Sequence, residues 1–151
     1  MKFFLLFLVF YVFLKNSIAD LTETFSWDSK GNIVREETIL FPSGKKFISL
    51  KHEGGFETTI AKYGSYACSG IILISEKDNL EDMNYACEFK DQNGDRFYSR
   101  GSRKKGSDID RSSGKMQILE GVGFWKRHEG KVCSYGLENV DKVIFVKSSC
   151  K

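Results

Sequence analysis

Short runs of alternating polarity most constrain how this chain folds. From Asp20 onward, segments of four to eight residues alternate between apolar and polar side chains, and clusters of Gly, Asn, Asp and Ser separate them. No stretch keeps the spacing of an amphipathic helix over three turns. Because successive side chains of a strand point to opposite faces, this alternation is typical of half-buried strands. The sequence therefore predicts an all-β protein.

The turn signals between the runs indicate where the strands end. Asp28–Asn32 lies between the first two runs, and Gly54–Gly55 separates two later ones. Gly101–Gly114 is the longest polar stretch and predicts a mobile loop. We count about nine candidate strands, which fits a meander that either closes into a barrel or folds into a sandwich.

The clearest local pattern is a hairpin centred on Asn93–Gly94. Alternating runs over Tyr85–Lys90 and Arg96–Arg100 flank it. The dipeptide Asn-Gly favours the positive φ angles of a type I′ turn, which joins two antiparallel strands through two residues. We therefore expect a hairpin with a type I′ turn at this point.

The N-terminus has the layout of a secretory signal. A charged start precedes an unbroken apolar run over Phe3–Leu14, and the small residues Ser17 and Ala19 follow before Asp20. Twelve apolar residues are too few to cross a bilayer as a helix, which takes about 20. We expect cleavage after Ala19, export to the periplasm or the extracellular space, no stable membrane anchor, and a single domain over residues 20–151.

The charge balance argues against a polyanionic partner. Of the 23 basic residues, Lys2 and Lys15 belong to the signal, which leaves 21 against 20 acidic residues. A net charge this close to zero provides no general attraction to nucleic acid or to an anionic membrane. Neither is expected as a partner.

All four cysteines, Cys68, Cys87, Cys133 and Cys150, lie downstream of the signal. An exported chain folds where disulfides form, and spacings of 18, 45 and 16 intervening residues match neither a Cys-x-x-Cys redox motif nor a zinc ribbon. Four cysteines allow three pairings. Cys68 and Cys87 fall on consecutive strands, as do Cys133 and Cys150, so we expect these two local disulfides. Each would stabilise the fold by about 3 kcal/mol.

No residue cluster in the sequence carries a recognisable reaction. His52 and His128 each precede a glutamate, but neighbouring residues on a strand face opposite sides and do not pair. Asp91–Asp95 places oxygen side chains at alternate positions, yet Arg96 and Ser102 stand where an EF-hand loop requires glycine and a bidentate acid. We therefore expect structural histidines, no metal site and no cofactor.

The sequence does not decide the role of two further features, a basic cluster and the aromatic residues. Arg103–Lys105 is a basic cluster that favours either a solvated loop or a patch for an acidic partner. Fifteen aromatic residues follow Ala19. They either fill the core of a small barrel or line a cavity inside it.

Two stretches of the sequence resemble motifs of small secreted barrel proteins. Gly121–Gly130 is similar to the Gly-x-Gly-Lys-Phe-x-Gly-x-x-Gly stretch of allene oxide cyclase-like, dirigent and related lipocalin-like proteins. Cys68–Gly70, followed by Cys87 and Asp91–Asp95, resembles a pattern in secreted bacterial proteins of that barrel type. The resemblance implies a closed antiparallel barrel of about eight strands in meander order, with a mouth or cavity. It transfers no catalytic residue.

Barrels of these families bind small apolar molecules in some members and direct cyclisation or radical coupling in others. The first hypothesis is therefore a non-enzymatic exported barrel that binds a small apolar ligand, with inward aromatics for affinity and a few polar groups for orientation. One alternative is an isomerase or cyclase on the same barrel, with His52, His128 or an inward acid handling the proton. Another is a protein-interaction module that uses the outer face or the loop Gly101–Gly114.

Overall fold

The computed structural model describes residues 23–151, so the predicted signal lies outside the described part of the chain. Eight antiparallel strands form a closed barrel in which sequence neighbours pair and the last strand pairs with the first. The strands are β1 (Phe25–Leu40), β2 (Lys46–Thr58), β3 (Tyr63–Ile74), β4 (Leu80–Asp91), β5 (Arg96–Arg103), β6 (Arg111–Val122), β7 (Val132–Val140) and β8 (Val143–Cys150). The all-β class, the closed barrel and the meander order expected from the sequence are confirmed.

A six-residue 3-10 helix, Gly123–His128, lies between β6 and β7. It marks one end of the barrel, which we call the helix end, and the connection between β5 and β6 lies at the other, the loop end. No helix within residues 23–151 is long and apolar enough to cross a membrane.

Two groups of buried side chains fill the interior. The larger group is aromatic and includes Trp27, Phe89, Phe97 and Trp125, with the rings of Phe89 and Phe97 stacked at a centroid distance of 4.3 Å. The smaller group is mostly aliphatic and consists of Ile72, Ile74, Leu80 and Met83. Both groups arise because the polarity alternation turns one face of each strand inward.

Two predicted turns are wrong, because they lie inside strands. Asp28–Asn32 is part of β1 and Gly54–Gly55 is part of β2. Gly31 is buried on the inner face, where an added Cβ would collide with the Tyr66 hydroxyl and the Glu53 carbonyl oxygen. The glycine therefore permits a close approach inside the sheet and does not end a strand.

The hairpin at Asn93–Gly94 is confirmed, but the predicted turn type is wrong. Asp91 N–H donates to the carbonyl of Asp95, and Gly94 N–H donates to the carbonyl of Asp91. This closes a three-residue loop in which only its third residue, Gly94, has a positive φ, of 87°. A two-residue turn with positive φ at both positions occurs instead at Asp141–Lys142, with φ angles of 51° and 68°.

The predicted loop Gly101–Gly114 is shorter in the structure. β5 continues to Arg103 and β6 begins at Arg111, so both ends of the polar stretch are strand. Its two terminal glycines lie directly opposite Tyr85 and Tyr135 on the neighbouring strands. These two glycines leave room on the inner face for the rings of the two tyrosines, because a Cβ at either position would collide with the facing ring.

Both disulfides join directly opposed residues of neighbouring strands. Cys68 pairs with Cys87 between β3 and β4, and Cys133 pairs with Cys150 between β7 and β8. These are the two local pairings expected from the sequence. All four cysteines are buried in the larger core group. Two buried disulfides are consistent with folding in an oxidising compartment.

Candidate functional site

A small cavity inside the barrel is the candidate functional site. Its volume is about 40 Å³. The residues around it come from seven of the eight strands and occupy inward positions. They are Trp27, Ser29, His52, Tyr66, Cys68, Met83, Tyr85, Cys87, Phe89, Met116, Tyr135, Leu137 and Val146. The aromatic residues thus serve both of the roles that the sequence left open, since some line the cavity and others, such as Phe97, fill the core.

The first polar group of the cavity, which we call the histidine group, consists of Ser29, His52 and Tyr66 on β1, β2 and β3. The Nδ1 atom of His52 lies 3.4 Å from the Tyr66 hydroxyl, which also hydrogen-bonds with Ser29. Burial lowers the pKa of His52 to about 4, and the positive charge of Arg103 acts in the same direction. Burial raises the pKa of Tyr66 to about 12. The imidazole and the phenol are therefore both neutral at pH 7.

The second polar group, the tyrosine pair, consists of Tyr85 on β4 and Tyr135 on β7. Their rings are 5.9 Å apart, and their hydroxyls hydrogen-bond to each other. Burial raises the pKa of Tyr85, and the nearby Tyr135 adds to this effect. The Tyr135 hydroxyl also donates to the carbonyl of Ser102 at 3.3 Å. Gly101 and Gly114 make room for these rings, because a Cβ at either position would collide with the facing tyrosine.

The rest of the lining is apolar. It includes Met83 and Met116, whose unbranched side chains have three rotatable bonds and adapt to irregular spaces. A water molecule needs ~10–15 Å³ of such space, so the cavity has room for about three waters. Typical ligand pockets measure ~300–1,000 Å³. Any larger occupant must therefore displace side chains, and the two methionines are the most adaptable of them.

The chemistry of this lining favours binding over proton transfer. A general base works best with a pKa near the working pH, whereas the pKa of His52 lies at about 4. None of the residues around the cavity is acidic, so no carboxylate orients the imidazole. The polar side chains of the lining can donate and accept hydrogen bonds, and the rest of the lining offers apolar contact.

The second histidine lies elsewhere. His128 is fully buried in the 3-10 helix at the helix end, where it packs against Phe25, Phe124 and Trp125. It does not line the cavity, so the structure does not bring His52 and His128 together.

Asp91–Asp95 also has a structural role at the helix end. The Asp91 side chain is buried and accepts hydrogen bonds from the Asn93 and Asp95 N–H groups, from Trp125 Nε1 at 3.2 Å and from Lys62 Nζ at 3.1 Å. Within residues 23–151, no group of three His, Cys, Asp or Glu side chains is placed to hold a metal ion.

The basic cluster Arg103–Lys105 is divided by the fold. Arg103 is half-buried and donates from its guanidinium to the carbonyl of Ile109 at 2.8 Å, while Lys104 and Lys105 are exposed. Arg103 therefore holds the connection between β5 and β6 in place, and only the two lysines remain on the surface.

Ser29 was not predicted as a site residue, because the segment around it has the composition of a turn. Tyr66, Tyr85 and Tyr135 were not predicted to lie in one site. A signal for the tyrosines was present. The tripeptide Tyr-Ala-Cys occurs twice, ending at Cys68 and Cys87, and Cys133 is followed two residues later by Tyr135. Because residues two apart share a face of a strand, a buried cysteine places the tyrosine on the inner face as well.

Comparisons of the chain with family models, with curated proteins and with solved structures find no match.

Proposed function

We propose that this chain is an exported, non-enzymatic barrel that binds a small, mostly apolar molecule in its interior. The observation that supports this most directly is the convergence of five neutral polar side chains on a cavity whose other walls are aromatic, aliphatic and sulfur-containing. A barrel that needed only a packed core would have no reason to bury the Ser29–His52–Tyr66 group, since each polar group costs free energy when it leaves water.

The lining also defines the chemistry of the ligand. Trp27 and Phe89 offer ring faces and edges, and the two methionines offer polarisable sulfur atoms. The histidine group and the tyrosine pair present neutral donors and acceptors. A ligand about the size of one aromatic ring, carrying one hydroxyl or N–H group, fits this lining once Met83 and Met116 move aside.

Export is part of the same proposal. The predicted signal, with cleavage after Ala19, would deliver the chain to the periplasm or the extracellular space, where the two buried disulfides form. A carrier in that compartment meets small molecules outside the cytoplasm.

The test uses the methyl groups of Met83 and Met116, which are the only methionines after the predicted signal. Methyl NMR spectra of the oxidised protein are recorded while phenol or indole is added. We expect at least one probe to shift both methyl signals in a saturable way. Native mass spectrometry of protein isolated from its own compartment would show any molecule that travels with it.

A cavity-filling variant separates binding inside the barrel from binding outside it. Leu137→Phe should abolish the shifts, whereas Leu119→Phe, at an outward position of β6 that is 54% exposed, should leave them unchanged. The proposal is overturned if neither probe shifts the methyl signals and the isolated protein has a clean unliganded mass.

A further inference from the structure

A groove on the outer wall of the barrel is distinct from the cavity. It has a volume of about 520 Å³ and crosses β8, β1, β2 and β3. Two rows of outward, directly opposed residues form it. One row is Lys147, Asp28, Glu57 and Tyr63, and the other is Phe145, Lys30 and Gly55.

The floor of the groove exists because Gly55 has no side chain. The fold does not require glycine there, because an added Cβ would meet only the Gly64 carbonyl oxygen, at an ordinary 3.5 Å, and the residue has no positive φ. Gly64 differs, since a Cβ there would collide with the carbonyl of Lys90. A glycine inside a strand costs about 0.5–1 kcal/mol relative to alanine. A glycine inside a strand often marks a bulge, a tight bend, or a place where a ligand or another backbone approaches closely. Gly55 pairs in regular register on both sides and has no tight backbone contact, which leaves the approach of a ligand.

Two aromatic rings stand at the opposite ends of the groove. Tyr63 on β3 is 59% exposed and Phe145 on β8 is 41% exposed. Three strand spacings separate their strands, which corresponds to roughly 14 Å. Lys30 Nζ lies 5.1 Å from the centre of the Phe145 ring and so covers part of one face. The Tyr63 ring has no such neighbour among the groove residues.

The polar residues between the rings balance in charge. Asp28 and Glu57 are acidic, Lys30 and Lys147 are basic, and all four are exposed. A charged ligand therefore gains no net attraction, whereas a neutral ligand rich in hydroxyls finds strong hydrogen-bond acceptors and donors side by side. The backbone here is paired on both sides of β1, β2 and β3, so a peptide cannot add to the groove as a further strand.

We propose that this groove binds a neutral oligosaccharide. A sugar ring has an apolar face of C–H bonds and a rim of hydroxyls. The face would stack on Tyr63, and the next rings of the chain would cross the bare backbone at Gly55 toward Phe145. The four charged side chains would hydrogen-bond the hydroxyls along the way. This inference does not depend on the ligand proposed for the interior.

The test is amide NMR of the oxidised protein with cello-, chito- and malto-oligosaccharides at millimolar concentration. We expect one of them to shift the signals of the groove strands near Gly55 and Tyr63 while leaving the loop end unchanged. Gly55→Gln fills the floor and Tyr63→Ala removes the stacking ring, so each should weaken binding about tenfold or more. Ala86→Gln, at an exposed outward position of β4, is the matched control and should have no effect.

Thermal unfolding of each variant checks that it keeps the fold. The proposal is overturned if none of the three oligosaccharides binds, or if binding survives both groove variants.

Discussion

Asp91 is expected to be the most sensitive polar residue of the barrel. Its side chain is fully buried, and the ion-paired Lys62 side chain is only 12% exposed. Replacing Asp91 by alanine removes the acceptor for Lys62, for the Trp125 indole and for two backbone N–H groups at once. The Trp125 indole N–H would then lose its acceptor inside the protein, and the Lys62 ammonium, at 12% exposure, would lose its anionic partner.

The magnitude follows from this loss of partners. Removing one member of a buried ion pair costs about 3–5 kcal/mol, because the other charge stays buried. Asp91→Asn keeps the shape and one acceptor oxygen, so we expect a smaller loss of about 1–3 kcal/mol. For a domain of this size, each kcal/mol lowers the melting temperature by roughly 4 °C. The alanine variant should therefore melt ~12–20 °C below the wild type.

The pH dependence gives a second readout of the same residue. Burial tends to raise the pKa of Asp91, but the hydrogen bonds from Lys62 and from the Asn93 and Asp95 N–H groups hold it below its usual value. A carboxyl whose pKa is lower in the folded state contributes stability above its unfolded pKa of about 3.9 and loses it as the pH falls through the folded pKa. Asp91→Asn should therefore lose less stability than the wild type below about pH 4.

Urea denaturation of the oxidised protein at neutral and acidic pH measures both effects. Asp82→Asn, at an exposed position of the same strand, is the matched control and should change stability by less than about 0.5 kcal/mol. Combining Asp91→Asn with Lys62→Met should cost less than the sum of the single variants, because they share one interaction. If Asp91→Ala costs no more than the control, the network at the helix end does not stabilise the barrel.

Two further predictions concern the inner face. His52 has a folded pKa of about 4 against 6.5 unfolded, so the wild type should lose stability as the pH falls from about 6.5 to 4, by on the order of 3 kcal/mol. Urea denaturation of His52→Gln at several pH values should not show this loss. If the unfolding free energy of the variant fell with pH as steeply as that of the wild type, the imidazole would not be buried in its neutral form. Gly31→Ala should cost about 2 kcal/mol or more, because its Cβ collides with Tyr66 and backbone. Gly136→Ala, where a Cβ meets nothing within 4 Å, should gain about 0.5–1 kcal/mol, because glycine inside a strand is less stable than alanine. Equal melting temperatures for the two variants would refute the argument.

The alternation predicts the all-β class of this fold, because every strand repeats it. It does not predict closure, since the same pattern fits a sandwich, and the closed barrel was expected only from the resemblance to small secreted barrels. The alternation predicts which side chains of each strand face the core. Cys68 and Cys87 lie on consecutive strands, which predicts their disulfide. The wrongly predicted turns contain glycine and polar residues, which occur both in turns and inside strands. Asp28–Asn32 has the composition of a turn, yet its polar side chains alternate with buried positions inside β1.

The candidate site was less predictable, because it depends on which strands face each other across the interior. His52 and Tyr66 are fourteen residues apart and meet because β2 and β3 pair in one particular register. Tyr85 and Tyr135 lie on strands that do not pair at all and meet across the barrel. Local alternation says that each of these residues points inward. It does not say how far the strands tilt and stagger, and that stagger decides which inward residues become neighbours.

Glycines occur in this barrel for different reasons, which the sequence alone does not distinguish. Gly94 is needed because its φ is positive, and Gly31 is needed because a side chain would collide with its neighbours. Gly55 meets neither condition, and neither does Gly136, which lies opposite Lys147 beside the outer groove. If only folding mattered, alanine at Gly55 would be more stable than glycine. Neither a turn nor a close contact therefore explains glycine at position 55, and the proposed ligand groove rests on this observation.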